Sequence, residues 1–211
     1  MPSSSRTGDK PEIPEPFRAA LQGGEPGRVS DHPAEAPLER YGRGLARTVV
    51  GREADARADF QAASDALGDI CRVELGFLDI RDRSGLRRAL QASEELLDLH
   101  AGPCFLRARS LHLKGLALGK LRRSRLSVQA LFDAQNLYRE IGEGLLSAQV
   151  QDTLGMVFGA SGQLDLALTY YSLSLVQKLA GGDRYGAAIS LGNMGRVHLR
   201  AGRYREAMVC L

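Results

Sequence analysis

The chain has 211 residues and a formal net charge of +3, with 44% apolar and 25% charged residues. That length and balance suit a globular protein with a substantial core. No apolar run reaches the roughly 18 residues of a membrane span, and the N-terminus lacks the order of a secretory signal, so the cytoplasm is the expected compartment. Cys71, Cys104 and Cys210 are odd in number and lack CxxC spacing, which argues against a disulfide framework and a zinc site.

Seven of the eight prolines fall in the first 37 residues, among Ser, Gly and scattered charge. Such a segment buries too little apolar surface to offset the entropy of ordering it. Residues 1–37 are therefore expected to be a disordered arm, with at most a helical turn near "PFRAALQ". From Leu38 to Leu211 only Pro103 interrupts long helix-compatible stretches.

Those stretches repeat. Gly115, Gly155 and Gly195 lie forty apart, as do Gly102, Gly142 and Gly182. Gly162 and Gly202 follow Gly155 and Gly195 by seven, and Ser127, Ala167 and Ala207 follow the first series by twelve. Leu146, Val150, Leu154, Val157 and Phe158 form one helical stripe, and Leu164, Ala167, Leu168, Tyr171 and Leu175 form another. Gly162 between them suits the left-handed residue that ends a helix, and Asp183 suits a cap. Each unit reads as a helical hairpin. Recurrent glycines inside helices, each costing about 1 kcal/mol against alanine, point to close packing of paired helices.

Gly155, Gly162, Ala167 and Tyr171, then Gly195, Gly202, Ala207 and Leu211, and earlier Gly44, Gly51, Ala56 and Phe60, give a pattern that resembles the tetratricopeptide repeat. The period of forty resembles the long-repeat subgroup of kinesin light chains, adaptors of the LGN kind and bacterial signalling proteins. The pattern departs in the third unit, where Lys114 fills an apolar slot and Arg122 replaces the turn glycine. In the second unit "ELGFLDIRDRSGLRRAL" fits only with one residue inserted. The resemblance implies an all-α fold over 38–211. About five antiparallel hairpins, the last one short, would stack into a right-handed superhelix of the α-solenoid type.

No nucleophile elbow, HExxH, phosphate loop or dinucleotide fingerprint is present. His100, His112 and His198 lack a partner ligand at helical spacing. The expected function is non-catalytic, without cofactor or metal: binding another protein, as an extended peptide or an acidic segment. The alternative is a sensory or docking half of a larger signalling enzyme or transcriptional regulator, with the effector domain beyond Leu211.

If the resemblance holds, the first helix of each hairpin lines a concave groove, with Asp152, Met156, His112, Lys120, Arg196 and Arg200 facing it and Asn193 beside them. Arg and Asn there could fork onto carboxylates or peptide backbone. No unit carries the Lys and Asn of the family's carboxylate clamp. A basic block, Arg107, Arg109, Lys114, Lys120, Arg122, Arg123 and Arg125, lies in a stretch without acids from Leu99 to Phe132. It reads as a solvated face, as a site for an acidic partner, or as a surface for nucleic acid or anionic membrane. The last is disfavoured because no aromatic residues interleave for base stacking. The last helix, from Tyr204, ends in the apolar "EAMVCL". That suggests either a longer protein or self-association through the open end.

Overall fold

The structure, a computed structural model, describes residues 10–23 and 25–210, and these hold eleven α-helices and no strand. A short helix α1 (Phe17–Gln22) and a 3-10 turn (Pro26–Val29) precede the array. Five hairpins follow: α2 (Pro37–Val49) with α3 (Glu53–Leu67), α4 (Asp69–Asp79) with α5 (Gly85–Leu99), α6 (Phe105–Lys120) with α7 (Ser124–Glu140), α8 (Gly144–Ala160) with α9 (Leu164–Ala180), and α10 (Arg184–Arg200) with α11 (Tyr204–Cys210). Each helix packs on the next, giving the superhelical solenoid expected.

Local geometry explains the period. α8 and α9 have 17 residues each, and three-residue turns join them to each other and to their neighbours. The first two units are shorter, with 13 residues in α2 and 11 in α4, so the spacing of forty holds only over the last three. In the second unit the inserted residue puts Ala89, wholly buried, thirteen after Gly76.

The recurrent glycines sit where hairpin partners touch. A β-carbon on Gly44 would lie 2.7 Å from the Phe60 ring, on Gly115 2.6 Å from Leu131 Cγ, and on Gly155 2.9 Å from the Tyr171 ring. Each contact partner lies sixteen residues on, one turn away on the facing helix. At Gly115 the backbone nitrogen of Leu131 is also only 3.3 Å away, so the neighbour cannot simply rotate aside. Gly115→Ala is expected to lower stability by about 1–2 kcal/mol, overpacking outweighing the better helix propensity; urea denaturation would read it.

At the hairpin turns, Gly162 has φ 84° and Gly202 φ 71°. Arg122 holds the same place in the third unit at φ 62°, the one non-glycine residue with positive φ among those described. The departure seen in sequence thus keeps the turn and strains it.

The arm reading needs correction from residue 10 onward; residues 1–9 lie outside the described residues. Phe17 and Val29 are buried with Ala46 of α2, and Ile13, Ala20, Leu21 and Ala34 pack around them. Arg47 Nε donates to Ser30 O at 2.8 Å and Arg43 Nη1 to His32 O at 3.1 Å. Both arginines also hold the buried Asp59 of α3, Arg43 through Nη2 at 2.6 Å and Arg47 through Nη1 at 2.8 Å. A few apolar anchors, diluted in the composition, suffice to dock the segment. The expected turn at "PFRAALQ" is α1.

Candidate binding site

The first helices of the hairpins end at a common edge, where cations meet carbonyls. Lys120 Nζ at the end of α6 donates to Ile80 O, just past α4, at 3.0 Å. Arg200 Nη1 at the end of α10 donates to Gly159 O of α8 at 2.9 Å. These positions are equivalent, and the one between them is Ala160, which has no reach. Its own carbonyl accepts from Arg122 Nη1 at 3.3 Å instead. Helix C-termini carry unpaired carbonyls and partial negative charge, so a cation there closes one unit on the next. Lys120 and Arg200 are therefore partly spent in clasping the stack. Burial, then the Arg81 charge, lowers the Lys120 pKa.

Asp152 is also engaged. Its carboxylate pairs with Lys178 Nζ of α9 and accepts from Ser190 Oγ of α10 at 2.8 Å. Lys178, 3% exposed, further donates to Ser190 Oγ at 3.0 Å and Gly186 O at 3.2 Å. This network pins three helices together. Sequence reasoning missed Lys178, whose signal was a lone cation in the apolar run "LSLVQKLA". Lys178→Met is expected to lower stability by about 2–3 kcal/mol, since Asp152 would keep its charge without its partner; the shift of the thermal midpoint checks it.

His112 is buried rather than facing a groove, which corrects its assignment. Its Nε2 lies 2.9 Å from Thr153 Oγ1, and its ring meets Phe77 and Tyr138 edge-on. Burial, then the Arg109 charge, lowers its pKa to about 3. Met156 is half-buried against the main core. Arg196 is exposed, with Asn193 half-buried beside it and accepting from its guanidinium. Of the groove residues expected, Arg196, Asn193 and Met156 keep accessible surface with no ion pair and no hydrogen bond to another helix among the described residues. Lys120 and Arg200 are exposed but reach carbonyls of neighbouring units.

The basic block also comes apart. Arg109, half-buried, makes a two-pronged pair with the buried Glu74 of α4, Nε to Oε1 at 2.8 Å and Nη2 to Oε2 at 2.7 Å. Its guanidinium lies 3.9 Å from the centre of the Phe77 ring. Burial pulls its pKa down, and the Glu74 carboxylate more than reverses that, leaving it raised. Arg107 donates to His100 O at 2.8 Å, and Lys114 pairs with Glu94 at 3.1 Å. Neighbouring elements supply the acids and carbonyls that the local stretch lacks. Arg123 and Arg125 are exposed and make no ion pair among the described residues.

A different basic cleft takes the block's place. Arg83, Arg87, Lys120 and Arg122, with Leu86 and Leu121, line a cleft of about 330 Å³ between the α4–α5 and α6–α7 turns. Arg83 and Arg87 make no ion pair among the described residues and went unnoticed in the sequence. The adjacent Asp79 is taken by Arg57 at 2.8 Å and Arg88 at 3.3 Å.

Stacked hairpins with packing glycines and left-handed turns give the chain a tetratricopeptide-type helical-repeat fold. No protein-family model matches the chain, and no curated protein matches it. Among solved structures, a Rap protein complexed with competence and sporulation factor superposes with a TM-score of 0.69 over 88% of this chain, at 11% identity. The chain spans only 55% of that Rap protein's length. Two crystal forms of MamA AMB-1 align over 82% of this chain, and 87% and 94% of their own, at 16% identity and a TM-score of 0.44. Among the described residues no helix is long and apolar enough to cross a membrane.

Proposed function

We propose that the chain is a non-catalytic protein–protein interaction module that holds an extended acidic segment of a partner. The observation that carries this is the cleft lined by Arg83, Arg87, Lys120 and Arg122, with no acid among the lining residues. Leu86 and Leu121 in the same lining favour a segment that interleaves carboxylates with an apolar residue. Arg196 and Asn193, near the same edge of the fifth unit, offer the segment a second hold. The test titrates the full chain with a fluorescent peptide of alternating glutamate and leucine and follows anisotropy. Arg83→Glu with Arg87→Glu is expected to weaken binding by about tenfold or more, with strong salt dependence. Equal binding by the variant, or tighter binding of a single-stranded oligonucleotide, would sink the reading.

The fifth unit supports self-association as well. Tyr204, Met208 and Val209 are 69%, 75% and 87% exposed, an apolar face on α11. Sedimentation equilibrium is expected to show concentration-dependent oligomers that Val209→Glu disperses. A monomer at all concentrations would contradict this.

A further inference from the structure

The N-terminal segment bridges units that are not neighbours in the stack. Lys10 Nζ donates to both carboxylate oxygens of Glu143, at 2.9 and 2.7 Å, across 133 residues of sequence. Glu143 is the N-cap of α8, at the entry to the fourth unit. Three residues on, Ile13 packs at α2 of the first unit: a β-carbon on Gly42 would come within 2.9 Å of Ile13 Cγ2. Three residues span at most about 11 Å, so a short stretch of backbone carries both contacts. α2 and α8 do not pack extensively on each other, and the segment touches both.

The surface beneath is shaped for such a chain. Lys10 reaches a shallow pocket of about 180 Å³ whose other walls are Pro103, Cys104, Phe105, Ile141 and Glu143. Pro11, Ile13 and Pro14 are half-buried, while Glu12 is exposed and the exposed Glu15 accepts from Arg18 Nε and Ala19 N of α1. Residues 10–14 form neither helix nor turn before the chain turns at Glu15 and Pro16 into α1, and Pro11 narrows the backbone freedom of this stretch. Tyr185 of the fifth unit also donates to Val49 O of the first at 3.0 Å, so the two ends of the array touch directly as well.

We propose that residues 10–16 are an intramolecular ligand, a strap that occupies a docking strip for an extended segment of the form Lys-Pro-x-Ile-Pro. A partner segment of that chemistry, a cation followed three residues later by an aliphatic side chain, displaces the strap and frees the ends of the array. The strip takes a cation onto Glu143 and lies at the edge opposite the basic cleft. It stands or falls separately from the acidic-segment reading.

The test uses the full chain and a labelled synthetic peptide of residues 10–16, KPEIPEP. A tethered segment competes at an effective concentration near millimolar, so wild type is expected to bind the peptide about tenfold or more weakly than a Lys10→Glu, Ile13→Ser variant. Adding Glu143→Lys to that variant is expected to abolish capture. Lys10→Glu with Glu143→Lys alone, which reverses the ion pair, is expected to return the closed, weakly binding state. Equal affinity of wild type and the strap variant overturns the proposal, as does failure of both to bind at about 1 mM peptide. Neither result bears on binding of the acidic peptide to the Arg83 cleft.

Discussion

Arg109→Ala is expected to lower the unfolding free energy by about 3–5 kcal/mol, the largest loss of any single change at the polar contacts described. Arg109 of α6 and Glu74 of α4 link the second and third units, and their side chains are only 11% and 5% exposed. Removing the guanidinium leaves the Glu74 carboxylate buried without a countercharge and strips the Phe77 ring of its cation. Arg109→Lys keeps the charge but cannot fork onto both oxygens, so a smaller loss of about 1–2 kcal/mol is expected. Arg109→Met with Glu74→Leu, which removes both charges at similar volume, is expected to recover most of the deficit. Urea midpoints of the four proteins decide the matter. If the double variant is as unstable as Arg109→Ala, lost packing rather than the orphaned carboxylate is the cause.

The pair also shows where sequence reading runs out. The fold was legible because its signals are local and periodic. Gly155 and Tyr171 are sixteen apart, and they touch because a hairpin of fixed length puts them opposite each other. The Asp183 cap was legible for the same reason: its carboxylate accepts from Gly186 N, three residues on, at 2.7 Å. Arg109 and Glu74 are 35 residues apart and Lys178 and Asp152 are 26, each pair joining different helices. In sequence Arg109 sat in an acid-free basic run and looked solvated, because its acid belongs to the preceding unit. Asp152 looked like a groove residue because nothing local announces Lys178. The docked segment at Phe17 and Val29 was hidden by averaging over a proline-rich stretch. Repeat architecture is written at short range, whereas the disposition of charge depends on which units meet.

His112 makes the same point through pH. Thr153 Oγ1 donates to Gln149 O at 3.1 Å, which spends its only proton, so the His112 ring must donate from Nε2. Nδ1 is left as a buried atom without a partner. A second proton there would find no acceptor, deep in the core and near the Arg109 charge. That accounts for a folded-state pKa of about 3, burial being the larger cause. The unfolded chain takes up that proton near pH 6.5, and the folded chain does not until about pH 3. Below pH 6.5 the unfolded state therefore binds more protons, and stability falls as pH falls. One proton corresponds to about 1.4 kcal/mol per pH unit, so the loss is about 2 kcal/mol by pH 5 and about 4–5 kcal/mol by pH 3. His112→Gln, which keeps a donor toward Thr153 but cannot titrate, is expected to remove this slope while leaving the fold intact at pH 7.5. Urea midpoints of wild type and variant at pH 7.5, 6 and 5 would show the two curves diverging as acid is added. Parallel curves would mean that His112 is protonated in the folded protein, and that its ring has a partner for the second proton.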